Sequence, residues 1–116
     1  MPTNEEIINL VFYKGATVTK RFVCRDVKGA PKDLSGFAIK SQARLSPTSS
    51  GIIYDIDIID GQFGSDFENG IVVLRVPIAT TASMPPQCSF DVRATSGDVS
   101  FPIARGRITL VERVTR

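Results

Sequence analysis

The chain is 116 residues long, with 42% hydrophobic and 22% charged residues, which is enough apolar material for one core and too much for a chain disordered by default. Its 14 Lys and Arg against 12 Asp and Glu leave a formal net charge of +2, short of the concentrated basic stripe with which nucleic-acid-binding domains hold phosphates. No run approaches the ~20 apolar residues of a membrane-crossing helix, and the acidic opening Met1-Pro2-Thr3-Asn4-Glu5-Glu6 lacks a signal-peptide pattern. The expectation is one domain over 1–116, made and used without standard secretion, with neither nucleic acid nor membrane as a partner.

In chain order, the segments alternate apolar and polar residues with a period of two and end at Gly, Pro, Asn, Asp or Ser, which predicts strands. Ile7 to Tyr13 is apolar almost throughout, so residues 1–13 read either as a first strand buried on both sides or as a docking arm. Lys14-Gly15 ends that run. Ala16 to Arg25 sets Val18, Phe22 and Cys24 against Thr17, Thr19, Arg21 and Arg25, and Asp26-Val27-Lys28-Gly29 is a turn. Phe37 to Leu45 points Phe37, Ile39, Ala43 and Leu45 one way and Lys40, Gln42 and Arg44 the other, as a half-buried strand requires.

Ser46 to Gly51 is an exposed loop without an apolar anchor. Ile52 to Ile59 sets Ile52, Tyr54, Ile56 and Ile58 against Ile53, Asp55, Asp57 and Ile59. Gly61 to Gly70 is a second loop, and Ile71 to Val76, apolar on both phases except Arg75, reads as a central strand. Ile78 to Ser83 has room for one helical turn before Met84-Pro85-Pro86 forbids continuation. Cys88 to Ala94 alternates again, Ser96-Gly97-Asp98 is a tight turn, and Pro102 marks the next run as an edge strand or a bulge. The sum is an all-β, immunoglobulin-like β-sandwich of seven to eight antiparallel strands.

The chain contains no histidine, so neither a Ser–His–Asp nor a Cys–His arrangement can be built, and the commonest zinc ligand is missing. Cys24 and Cys88 form no CxxC pair. They are read as two buried free thiols, because the tryptophan that packs on an immunoglobulin-type disulfide is absent. Asp55 and Asp57, two apart on a strand, share a face, with Asp60, Asp66 and Glu68 nearby. They could hold a hard cation or act as a glycosidase pair. The favoured reading is the solvated side of a strand whose other side is apolar. No enzyme activity, metal or other cofactor is expected.

Contact residues are sought among apolar side chains placed where a lone domain leaves them in water. These are Ile7, Leu10 and Phe12 in the first segment, Pro47 in the first loop, and Phe63 and Phe67 in the second. Phe22, Phe37, Phe90 and Phe101 fall in core phase instead. The motifs Lys14-Gly15-Ala16, Asp26-Val27-Lys28-Gly29 and Pro31-Lys32-Asp33-Leu34-Ser35-Gly36-Phe37 then follow in order. After them come Gly70-Ile71-Val72-Val73-Leu74, Pro85-Pro86, Phe90-Asp91-Val92, Gly106-Arg107-Ile108-Thr109-Leu110 and Val114-Thr115-Arg116.

This order resembles small phage and prophage virion proteins, in particular the amino-terminal domain of phage baseplate upper proteins, over roughly Tyr13 to Arg116. The resemblance implies an attachment module without catalytic residues. It would be a tail, baseplate or fibre adaptor, made in the host cytoplasm, resident in the virion, forming a homo-oligomer in a symmetric assembly and contacting other phage structural proteins. A capsid decoration (cement) protein and a carbohydrate-binding module for host attachment are the alternatives, with a hydrolase third. No shaft or receptor-binding extension follows Arg116, which favours a stand-alone accessory subunit.

Overall fold

The computed structural model describes residues 3–4 and 6–112. Among the described residues there are seven long strands and two of two residues each. They are β1 (Thr3–Asn4), β2 (Glu6–Tyr13), β3 (Val18–Val23), β4 (Arg25–Asp26), β5 (Ala38–Arg44), β6 (Ile52–Ile58), β7 (Ile71–Val76), β8 (Gln87–Ser96) and β9 (Val99–Val111). A single helical turn, α1 (Ile78–Thr81), precedes β8. One sheet has the order β2-β9-β8-β5-β6, a second pairs β3 with β7, and β1 pairs with β4. The fold is an all-β sandwich.

One expectation needs correcting: the pairing is not wholly antiparallel. β2 runs parallel to β9, from Glu6 opposite Ala104 to Tyr13 opposite Val111. The chain leaves β2 through Lys14-Gly15 for β3 in the other sheet, so β2 has no hairpin partner and lies along the far side of β9. Gly106 makes that approach possible, because a Cβ there would run into the Ile8 carbonyl.

Alternation builds the core. Leu10 and Phe12 of β2, Ile39 and Ala43 of β5, Tyr54 and Ile58 of β6, and Cys88, Phe90, Val92 and Ala94 of β8 all turn inward, against Phe22 of β3 and Val72, Leu74 and Val76 of β7. The rings of Phe22 and Phe90 meet at 6.2 Å between centroids, and Phe37 meets Phe101 edge-on at 5.3 Å.

Two irregularities shift the phase. Ala43 pairs with Tyr54 but Arg44 with Ile52, so Ile53 is an extra residue. It packs against the core while Ile52 and Leu45 stand exposed, contrary to their expected inward phase. On β9, Ala104 pairs with Val92 and Pro102 with Arg93, which leaves Ile103 as the bulged residue. Pro102 sits beside that bulge and before the stretch that β2 covers, so its missing N–H costs no ladder bond.

β7 is not central. Among the described strands it pairs with β3 alone, and its other side is closed by the loop before it, where Val73 N–H donates to Ser65 Oγ at 3.0 Å and Asp66 bridges to Ile71. In the same loop the carboxylate of Asp60 accepts the Phe67 N–H at 3.0 Å, and the Phe67 ring enters the core.

Candidate interaction face

The outward phase of the five-stranded sheet is a broad polar face. β5 contributes Lys40, Gln42 and Arg44, β6 contributes Asp55 and Asp57, β8 contributes Asp91 and Arg93, β9 contributes Arg105 and Arg107, and β2 contributes Ile7, Asn9, Val11 and Tyr13. A groove of about 450 Å³ crosses it, lined among others by Ile7, Asn9, Gln42, Arg44, Pro47, Arg105 and Arg107. A second hollow of about 320 Å³ continues it between Lys40, Asp57, Asp91 and Arg93.

The two ends differ in charge. At the far end Lys40 Nζ lies 3.2 Å from Asp55 and 3.7 Å from Asp57. Those carboxylates, Asp55 first through its hydrogen bond, raise the Lys40 pKa. The face therefore supplies its own cation to the acidic pair, which is how a solvated strand surface neutralises itself. Among the described residues, no group of three or more His, Cys, Asp or Glu side chains is placed to hold a metal ion.

The near end is lined by three guanidinium groups, Arg44, Arg105 and Arg107, with Asp91 across the ladder from Arg105. Arg44 is fixed by its own loop, donating to the carbonyls of Ser49 at 3.1 Å and Ser50 at 3.2 Å and to Gln42 Oε1 at 3.0 Å. Arg107 has no ion-pair partner among the described residues, because its neighbours across the ladders are Asn9 and Ser89. A site of this kind can receive carboxylates or main-chain carbonyls from a partner while Ile7 and Pro47 supply apolar contact.

The six expected contact residues divide evenly. Ile7 (70% exposed) and Pro47 border the groove, and Phe63 (56% exposed) stands out of its loop at a backbone φ of 56°. Its ring lies 4.7 Å from the Arg75 guanidinium, a cation–π contact that holds it on the surface. Leu10, Phe12 and Phe67, by contrast, are packed inside this domain's own core. For them the contact expectation is corrected. An apolar run gave no phase for Leu10 and Phe12, and the loop position of Phe67 concealed the inward turn that Asp60 directs.

Tyr54 is also buried, with its hydroxyl 3.0 Å from Ser41 Oγ; burial first of all raises its pKa. It cannot serve as an exposed sugar platform. Cys24 and Cys88 are buried free thiols. Burial raises both pKa values, that of Cys88 to about 11, although Lys32 partly opposes the rise at Cys24. Both therefore stay protonated and poorly nucleophilic near neutrality.

The sequence reading missed the arginine end of the groove. Its signal was present in Arg105-Gly106-Arg107, two cations in the outward phase of an otherwise apolar strand. Comparison with protein-family models and with curated proteins finds no match to this chain.

Proposed function

We propose that this chain is a structural subunit of a tailed phage virion, working through protein–protein contacts as a tail, baseplate or fibre adaptor. Two supports are independent of each other: the order of turn and strand motifs along the chain, and the open outward face of the five-stranded sheet. The second carries the reading. A sandwich that covered both sheets would have no surface to offer, whereas here the groove between Ile7, Pro47, Arg44 and Arg107 lies open on the larger sheet. The residues on it are suited to binding, since they present fixed donors and apolar borders.

Incorporation into particles tests this. Arg107→Glu combined with Pro47→Asp reverses the charge and wets the border of the groove without touching the core. The variant is expected to fold with an unchanged strand spectrum and to be absent from purified particles. Normal incorporation would sink the proposal. Imaging of the wild-type subunit decides its place, and density on the capsid lattice would make it a decoration protein instead of a tail component.

A further inference from the structure

The two edges of the five-stranded sheet are treated differently. β6 carries the bulge at Ile53 and the charges of Asp55 and Asp57, devices that discourage another strand from adding. The exposed edges of the smaller sheet carry Lys20, Arg21 and Arg75, whose like charges oppose self-pairing, and the loop at Ser65 closes part of β7. β2 has no bulge and, after Glu6 at its start, no charged residue. Its register against β9 runs unbroken for eight residues, it holds neither Pro nor Lys, and among the described residues no strand pairs with its other edge.

Backbone direction along β2 is fixed by one bond. Lys14 N–H donates to the Val111 carbonyl at 2.9 Å. Backbone groups alternate sides along a strand, so residues 12, 10 and 8 also turn theirs to β9, while Ile7, Asn9 and Val11 turn theirs to the empty edge. The same three residues carry the outward side chains, and Ile7 and Val11 are 70% and 57% exposed.

We infer that β2 pairs antiparallel with β2 of a second copy of this chain, about a two-fold axis at Asn9. In that register Ile7 opposes the partner's Val11, Asn9 opposes the partner's Asn9, and Val11 opposes the partner's Ile7. Each pair exchanges both backbone hydrogen bonds, as the alternation requires. Over residues 7–11 apolar meets apolar, and the one polar side chain of that stretch meets its own copy, whose amide both donates and accepts; Glu6 falls opposite the partner's Phe12 at the end of the ladder. Ile8 would oppose the partner's Leu10 on the inner side and extend the core across the junction. An isologous contact needs a surface complementary to itself, and residues 7–11 of this strand meet that condition. The register centred on Leu10 instead sets Asn9 against Val11 and loses the match.

This inference deepens the assembly reading above and rests on it for the claim that the chain associates. Sedimentation of the full chain over a concentration series is expected to show a dimer. Asn9→Pro removes an N–H that the isolated domain does not use, so it should leave the strand spectrum intact and abolish the dimer. Val11→Lys should do the same by placing a charge at the junction. Opposed residues of a hydrogen-bonded pair sit about 5.5 Å apart at Cα, within disulfide span. Mild oxidation should therefore cross-link the Asn9→Cys variant and leave Asp55→Cys single. A wild-type chain that remains monomeric, or a dimer undiminished in folded Asn9→Pro, would overturn the inference. A monomer that still enters particles defeats the two-fold contact alone, whereas a dimer excluded from particles defeats the virion reading alone.

Discussion

A methyl group at position 106 would collide with the carbonyl oxygen of Ile8 across the ladder, so β2 can lie on β9 only if that residue is glycine. Gly106→Ala is expected to lower stability by about 2–3 kcal/mol, the upper part of the usual cost of forcing atoms into a packed site. Hydrogen exchange should rise first over Glu6–Tyr13. Gly70 is constrained in another way. Its φ of 73° is left-handed, and a Cβ there would stand 2.5 Å from the Cys24 carbonyl. Cys88 gives a pH prediction. Burial raises its thiol from an ordinary 9.0 to about 11. Between those values the unfolded chain loses a proton that the folded one keeps, so stability is full below about pH 9 and falls as pH rises towards 11. Alkylation at pH 8 should accordingly be slow in the native protein and fast in urea. Equal rates in both would show that the thiol is not sheltered.

At the scale of elements, the loop from Ser46 to Gly51 owes its shape to Arg44, which holds two of its carbonyls. Arg44→Ala is expected to cost about 1.5–3 kcal/mol, the range for hydrogen bonds to charged groups. It should expose Ser49–Gly51 to proteolysis while the strands keep their exchange protection. Trimming Phe22, which meets Phe90 across the two sheets, to alanine should cost about 3–5 kcal/mol, read as a lower denaturant midpoint. Strand positions were legible wherever polar and apolar residues alternate, as in Phe37–Ala43 and Cys88–Ala94. The phase of Ile52 was not, because an added residue such as Ile53 reverses direction without altering composition, and Leu45 falls just past the end of β5. Leu10 and Phe12 were hidden for the opposite reason: a run apolar on both phases, save for Asn9, supports either facing. Pro102 shows the converse case, since a missing N–H restricts a residue to an edge or a bulge, and the structure provides both.

For the whole molecule, the sandwich followed from period-two runs and their turns, whereas the interaction face did not. The groove assembles Asn9, Gln42, Arg44 and Arg107 from strands far apart in sequence, and no local pattern records which outward residues become neighbours after folding. The parallel ladder between β2 and β9 could not be read from alternation either, because pairing direction leaves no trace in the period. That ladder determines how the domain carries load. Tension applied before Glu6 and after Val111 pulls two side-by-side strands in opposite senses along their length, so the bonds joining them are sheared together instead of being peeled one at a time. A subunit linked through these two points would resist stretching as a rigid coupling, and its first yielding step would be release of β2 from β9, eased by any side chain at position 106.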